Sequence, residues 1–216
     1  MSVQGAGSVL LDNGPASAES KTPRFFFDLH VHSTYSSDSS LSPKVAITKA
    51  RHLGLRGIAF TDHDRLTRIT SPVPEFVLVP GVELSTDWGD LIALGISELP
   101  REGLSVPELI EKIHHQGGVA VVPHPFTNTP LPYAMNDRVY DIIDIVDGLE
   151  VTSPKSAVDN KKARKLVEDR AKAPVGGSDA HSPEMLGTGL TVCKDGSVDG
   201  LLRAIRGGIT GAIIRK

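Results

Sequence analysis

The sequence predicts an α/β fold, a parallel sheet covered by helices, and three observations predict it. From residue 23 onward short apolar runs alternate with helical patterns. About seven such runs fall within roughly 190 residues, which suits a small or distorted barrel, with an open doubly wound sheet as the alternative. Histidines and carboxylates gather just after the runs, at strand ends that would face one mouth.

Phe25-Phe26-Phe27 leading into Asp28-Leu29 reads as the first buried strand. Residues 43–53 have helical spacing, with Ser42 as N-cap and Pro43 in the first position. Residues 57–60 form a second strand. Residues 76–79 and 82–84 form a third, interrupted by Pro80-Gly81, and residues 91–94 a fourth. Ser105 and Glu108 make a capping-box pattern, Pro107 lies in the first turn, and Gln116-Gly117-Gly118 ends that helix. Strand 119–122, helix 138–146, strand 148–151, helix 159–171, strand 174–177, helix 198–206 and strand 212–214 complete the series. Residues 1–22, rich in Ser, Gly and Ala, read as a flexible tail, leaving 23–216 as one domain.

Composition narrows the chemistry. The chain has 216 residues and a formal net charge of -3, which gives no global pull toward nucleic acid or an anionic membrane. Its single cysteine, Cys193, permits neither an intramolecular disulfide nor a multi-cysteine zinc site. No stretch approaches the roughly 20 apolar residues of a membrane span, and Val9-Leu10-Leu11 is too short for a signal-peptide core. A cytoplasmic location is the expectation.

The polar residues carry the functional signal. Of the eight histidines, His30, His32, His63, His124 and His181 follow strand patterns, whereas His52, His114 and His115 sit in helical ones. A single histidine is more often a cap or a buried hydrogen-bonding group than a ligand. Here His-x-His, Asp-His-Asp, His-Pro and Asp-x-His recur at successive strand ends, and coincidence does not explain the set. In His-x-His, alternate residues of an extended chain face the same way, so both imidazoles can reach one ion at about 2.0–2.1 Å. Glu83 has two oxygens with which to bridge two ions, and a bridged site can ionise water near neutral pH.

These motifs resemble the PHP superfamily, named for polymerase and histidinol phosphatase. Asp28-Leu29-His30-Val31-His32-Ser33-Thr34-Tyr35-Ser36-Ser37-Asp38 is similar to its first motif and Ile58-Ala59-Phe60-Thr61-Asp62-His63-Asp64 to its second. Pro80-Gly81-Val82-Glu83-Leu84-Ser85, Pro123-His124-Pro125-Phe126 and Gly177-Ser178-Asp179-Ala180-His181-Ser182 resemble later ones, in order from Asp28 to Ser182. The resemblance implies a distorted (β/α)7 barrel with two or three divalent ions, manganese, zinc or iron. It implies that His30, His32, Glu83 and Asp179 hold one ion, Glu83 and His124 a second, and Asp38, His63 and His181 a third. It also points to Glu150 as a supporting group. One departure stands out: relatives place a further histidine in the segment 91–96, where this chain has Ile92. The second ion is therefore expected to be the weakest, or to be completed by water, Asp87 or Asp90.

The implied activity is hydrolysis of a phosphate ester, a small phosphomonoester or a nucleotide, by a metal-bound hydroxide. Arg65 and Lys155 are the basic residues nearest the motifs and the expected phosphate clamps, although exposed cations are more often merely solvated. The expected partner is a small phosphorylated substrate, with nucleic acid less favoured and no membrane. One rival is an amidohydrolase-like carbon–nitrogen hydrolase, which would use a bridging carboxylated lysine. Another is a non-catalytic subunit of an RNA- or DNA-processing complex, which would lack several ligands and carry a basic face. No Gly-x-Ser-x-Gly elbow, P-loop or dinucleotide fingerprint is present.

Overall fold

The computed structural model describes residues 24–70, 73–128, 131–155 and 158–215. The expected tail, 1–22, lies outside them. The elements are β1 (Phe25–Val31), α1 (Pro43–His52), β2 (Gly57–Phe60), β3 (Val77–Thr86), β4 (Gly89–Leu94), α2 (Val106–His115), β5 (Val119–Val122), a 3-10 turn (Asn136–Arg138), α3 (Val139–Ile142), β6 (Gly148–Glu150), α4 (Asn160–Arg170), β7 (Ala173–Val175), β8 (Gly189–Cys193), α5 (Val198–Arg206) and β9 (Gly211–Ile214).

The strands form one sheet in the order β7-β6-β5-β4-β3-β2-β1-β8-β9. Seven strands thus stand side by side in chain order. Beyond β7, Ala180 bridges back to Val31 at the end of β1, and the Thr191 hydroxyl of β8 bonds both the N–H and the carbonyl of Gly176. The sheet closes nearly into a barrel, the distorted (β/α)7 form expected.

The distortion has a specific origin. β1, β2 and β3 pair in parallel, as do β5, β6 and β7, but β4 runs antiparallel to both β3 and β5. The expectation of a uniformly parallel sheet fails here, because the link from β3 to β4 is the tight turn Thr86–Gly89 and not a crossover helix. Gly89 sits at φ +119, and a Cβ there would lie 2.8 Å from the Met135 nitrogen. The reversal brings the start of β4, Gly89-Asp90, to the same end as the C-termini of its neighbours. Pro80-Gly81 does not interrupt β3, which is continuous. β8 was not anticipated, and the helix expected over 138–146 is only the four-residue α3 preceded by a 3-10 turn.

The helix ends follow their capping signals. The Ser42 side chain accepts the Val45 N–H, Glu108 accepts the Ser105 N–H at 2.8 Å, and Asp159 accepts the N–H groups of Lys161 and Lys162. Phe27, Leu29, Val79, Ile92, Val121 and Val175 pack together with Leu201 and Ile205 of α5, while α2, α3 and α4 cover β3 to β6 from outside. Among the described residues no helix is long and apolar enough to cross a membrane.

Candidate metal centre

Four donor atoms converge at the mouth. His30 Nε2 and His32 Nε2 are 3.1 Å apart, and the Glu83 Oε2 atom lies 3.3 and 3.1 Å from them. The Asp179 Oδ1 atom lies 3.6 and 3.4 Å from the same two nitrogens. A tetrahedron with apices about 2.05 Å from its centre has edges of about 3.3–3.4 Å. The five distances scatter around that value, so these side chains are close enough to share a metal ion.

The neighbours fix which imidazole nitrogens carry lone pairs. The Glu150 Oε1 atom lies 3.2 Å from His30 Nδ1, and a carboxylate only accepts, so Nδ1 carries the proton and Nε2 the lone pair. The Ser36 hydroxyl donates to Asp62 Oδ1 at 3.1 Å; it therefore accepts the His63 N–H at 3.0 Å and His32 Nδ1–H at 3.3 Å. His181 Nδ1 donates to its neighbouring Asp179 carbonyl at 2.9 Å. With both Nδ1 atoms acting as donors, His30 and His32 in their neutral forms cannot hydrogen-bond to each other through Nε2. That 3.1 Å approach calls for a proton on one Nε2, making that ring an imidazolium, or for a cation between the two.

Two further groups adjoin the quartet. Glu83 Oε1 lies 3.2 Å from His124 Nε2, and His30, Glu83 and His124 together could hold an ion. His32, Asp38, His63 and His181 form another such group. Within it Asp38 Oδ2 is 3.0 Å from His181 Nε2 and 3.4 Å from His63 Nε2. All eight ligands expected from the motifs therefore come together. The first group is buried, whereas Asp38 is about half exposed.

Electrostatics bind the cluster. Burial pulls the His30 imidazole down, but the charges of Glu83, Asp179 and Glu150 outweigh it and hold it well above its ordinary value. Burial lifts Glu83, yet His30, His124 and His32 carry it well below the usual carboxylate range. Asp179 is lowered in the same way by His30, His32 and Lys155. His124 and Asp179 adopt positive φ, 28° and 51°, the kind of backbone strain that clusters at functional sites.

Supporting residues had been named in the motifs without a role. Asp28 is fully buried and accepts from Ser178 N at 2.9 Å, Ser178 Oγ at 2.6 Å and Gly187 N at 2.8 Å, tying β1 to the loop that carries Asp179. Burial pushes its carboxyl up to about 6 against the pull of those donors. Asp62 accepts from Ser33 N at 2.6 Å, Ser33 Oγ at 2.9 Å, Ser36 Oγ and Thr67 Oγ1, so it holds the first motif to the second and is occupied by donors. A carboxylate inside an apolar run such as Phe25-Phe26-Phe27-Asp28 is the signal that could have found Asp28, because it requires several donors.

The two expected clamps part company. Lys155 bonds Asp179 through Oδ2, leaving Oδ1 to the quartet. Its ammonium lies 5.8 Å from the Tyr133 ring centroid, and that ring stands edge-on to His124. Arg65 is exposed and stacks 4.5 Å over the Tyr35 ring. Tyr133, which lines the mouth beside Lys155, was not anticipated.

Comparison with known proteins places these features in a family. A model described as the PHP domain matches residues 28–173, and one described as PHP-associated matches 158–210. An uncharacterised protein of Methanocaldococcus jannaschii is 34% identical over 139 residues, which is 57% of this chain and 79% of that one. The 5'-3' exoribonuclease Rnm of Escherichia coli is 37% identical over 70 residues, 29% of this chain and 23% of its own. A solved two-domain protein from Bacteroides vulgatus, containing a predicted PHP-like metal-dependent phosphoesterase, superposes with a TM-score of 0.69 at 20% identity, over 89% of this chain and 65% of that one. The chain belongs to the PHP domain family.

Proposed function

We propose that the chain hydrolyses a phosphate ester, a small phosphomonoester or nucleotide. In this reading His30, His32, Asp38, His63, Glu83, His124, Asp179 and His181 hold two or three manganese, zinc or iron ions. The observation that carries the reading is the convergence of His30, His32, Glu83 and Asp179, with donor atoms 3.1–3.6 Å apart and Nδ1 of both imidazoles directed to their neighbours. When bound, such ions ionise a water near neutral pH and neutralise phosphate oxygens.

The protein's own groups supply the rest. Lys155 brings a positive charge to the edge of the quartet, where an anionic substrate would meet it, and Tyr133 walls the same side. Arg65, on Tyr35, offers a second, outer cation for a larger or doubly charged substrate. Burial lowers the Lys155 ammonium, but Asp179 more than compensates and keeps it protonated. Carboxylation of a lysine needs the neutral amine, which weighs against the carbon–nitrogen hydrolase reading. The nearly complete set of ligand side chains weighs against a non-catalytic subunit.

The test is a panel of nucleoside phosphates, sugar phosphates and 5'-phosphorylated oligonucleotides incubated with the Mn2+-loaded protein. Release of phosphate from a small ester, lost in His30→Ala and shifted to higher KM in Lys155→Ala, is the expected result. Cleavage of oligonucleotides alone would replace it with a nuclease reading. Failure of the metal-loaded protein on every member would overturn it.

A further inference from the structure

In the β3–β4 pair, Glu83 stands opposite Ile92 and Ser85 opposite Asp90. Directly opposed residues share a side of the sheet and alternate residues share a face, so Glu83, Asp90 and Ile92 point the same way. Ile92 packs into the apolar interior with Phe27, Leu29 and Val121. Asp90 lies one pleat nearer the mouth, because β3 runs toward the mouth and Ser85 lies beyond Glu83.

Asp90 is an unusual carboxylate. It is only 7% exposed, and no donor among the described residues hydrogen-bonds its side chain. The charges of Glu83, His124, His30 and Asp179 all act on it, after burial itself. A buried carboxylate without donors is costly unless a cation or a proton accompanies it. His124, which faces Glu83 through Nε2, likewise has a buried Nδ1 without a partner. The backbone around Asp90 is nevertheless firmly placed: its N–H bonds the Tyr133 carbonyl at 2.9 Å, and Gly89 packs against residues 133–135. Asp87, the other nearby acid, is exposed on the turn.

We propose that Asp90 is the third protein donor to the ion shared by Glu83 and His124, standing in for an imidazole with a carboxylate. The proposal rests on the metal-centre reading above. Asp90 stands outside the three groups of donors already converging. The like charges of Glu83 and Asp90 act on each other, and a shared cation would offset them. The completed seat holds two carboxylates and one imidazole, a harder donor set that favours Mn2+ relative to Zn2+.

Equilibrium dialysis against Mn2+ and, separately, Zn2+, followed by elemental analysis, tests this on the wild type, Asp90→Asn, Asp90→His and His30→Ala, with circular dichroism to confirm folding. Asp90→Asn is expected to bind one Mn2+ fewer per chain, or that ion about tenfold or more weakly. Asp90→His is expected to recover the ion and to shift its preference toward Zn2+. Wild-type Mn2+ binding in Asp90→Asn, with binding impaired in His30→Ala, would overturn the role of Asp90 and leave the metal centre standing. Loss of every ion from Asp90→Asn would also overturn it, since the residue would then shape the whole site. A wild type that binds neither metal would overturn both readings.

Discussion

Glu150 Oε1 meets His30 Nδ1 at 3.2 Å, while the other oxygen of the same carboxylate accepts the His124 backbone N–H at 2.9 Å. One side chain at the end of β6 thereby sets the tautomer of a histidine on β1 and the position of a loop after β5. Gly177 permits this approach: a Cβ there would lie 2.3 Å from the His30 Cβ and 2.5 Å from Glu150 Oε1.

Glu150→Gln keeps the shape but turns one donor toward a donor, either at His30 or at His124. The variant is expected to fold and to bind Mn2+ about 10–100-fold more weakly. Calorimetric titration of the metal-free protein measures this. Unchanged affinity would show that Glu150 does not govern the His30 lone pair.

Metal loading should depend on pH. In the metal-free protein, Glu83, Asp179 and Glu150 overcome burial and hold His30 protonated well above its ordinary value. The stability drawn from that proton is complete below the unfolded histidine value and is lost as pH rises through the raised folded value. A metal ion competes with the same proton, so Mn2+ affinity should rise with pH over that window, with release of on the order of one proton per chain. Titration in buffers of different ionisation enthalpy reads the proton count. A pH-independent affinity without proton release would contradict the assignment of His30.

Asp62 provides a stability test separate from the metal. Its carboxylate is fully buried and serves four donors from Ser33, Ser36 and Thr67. Asp62→Ala strands those donors and should cost about 2–4 kcal/mol, read as a lower urea midpoint of the metal-free protein. A loss below about 1 kcal/mol would mean that the first two motif loops do not depend on this clasp.

Much of this was legible in the sequence, and the rest was hidden for identifiable reasons. The clustering of side chains at the mouth was legible because His30, His32, His63, His124 and His181 follow apolar runs, and a strand end is a directional feature. The direction of β4 was not, since an apolar run such as residues 91–94 reads the same in a parallel and an antiparallel strand. Only the turn Thr86–Gly89 distinguishes them. β8 was missed because Gly189–Cys193 lies past the last motif without a helix before it. Glu150 was visible at a strand end, but its two-oxygen bridge joins residues 120 and 26 positions away, a relationship that spacing does not carry.

Diffraction from crystals grown with Mn2+, with data collected at the manganese absorption edge, tests the central claim most directly. An anomalous peak centred among His30 Nε2, His32 Nε2, Glu83 Oε2 and Asp179 Oδ1, at about 2.0–2.3 Å from each, is the predicted result, and the peak should vanish in His30→Ala. A wild-type map with no peak among those four atoms at saturating Mn2+ would contradict the account.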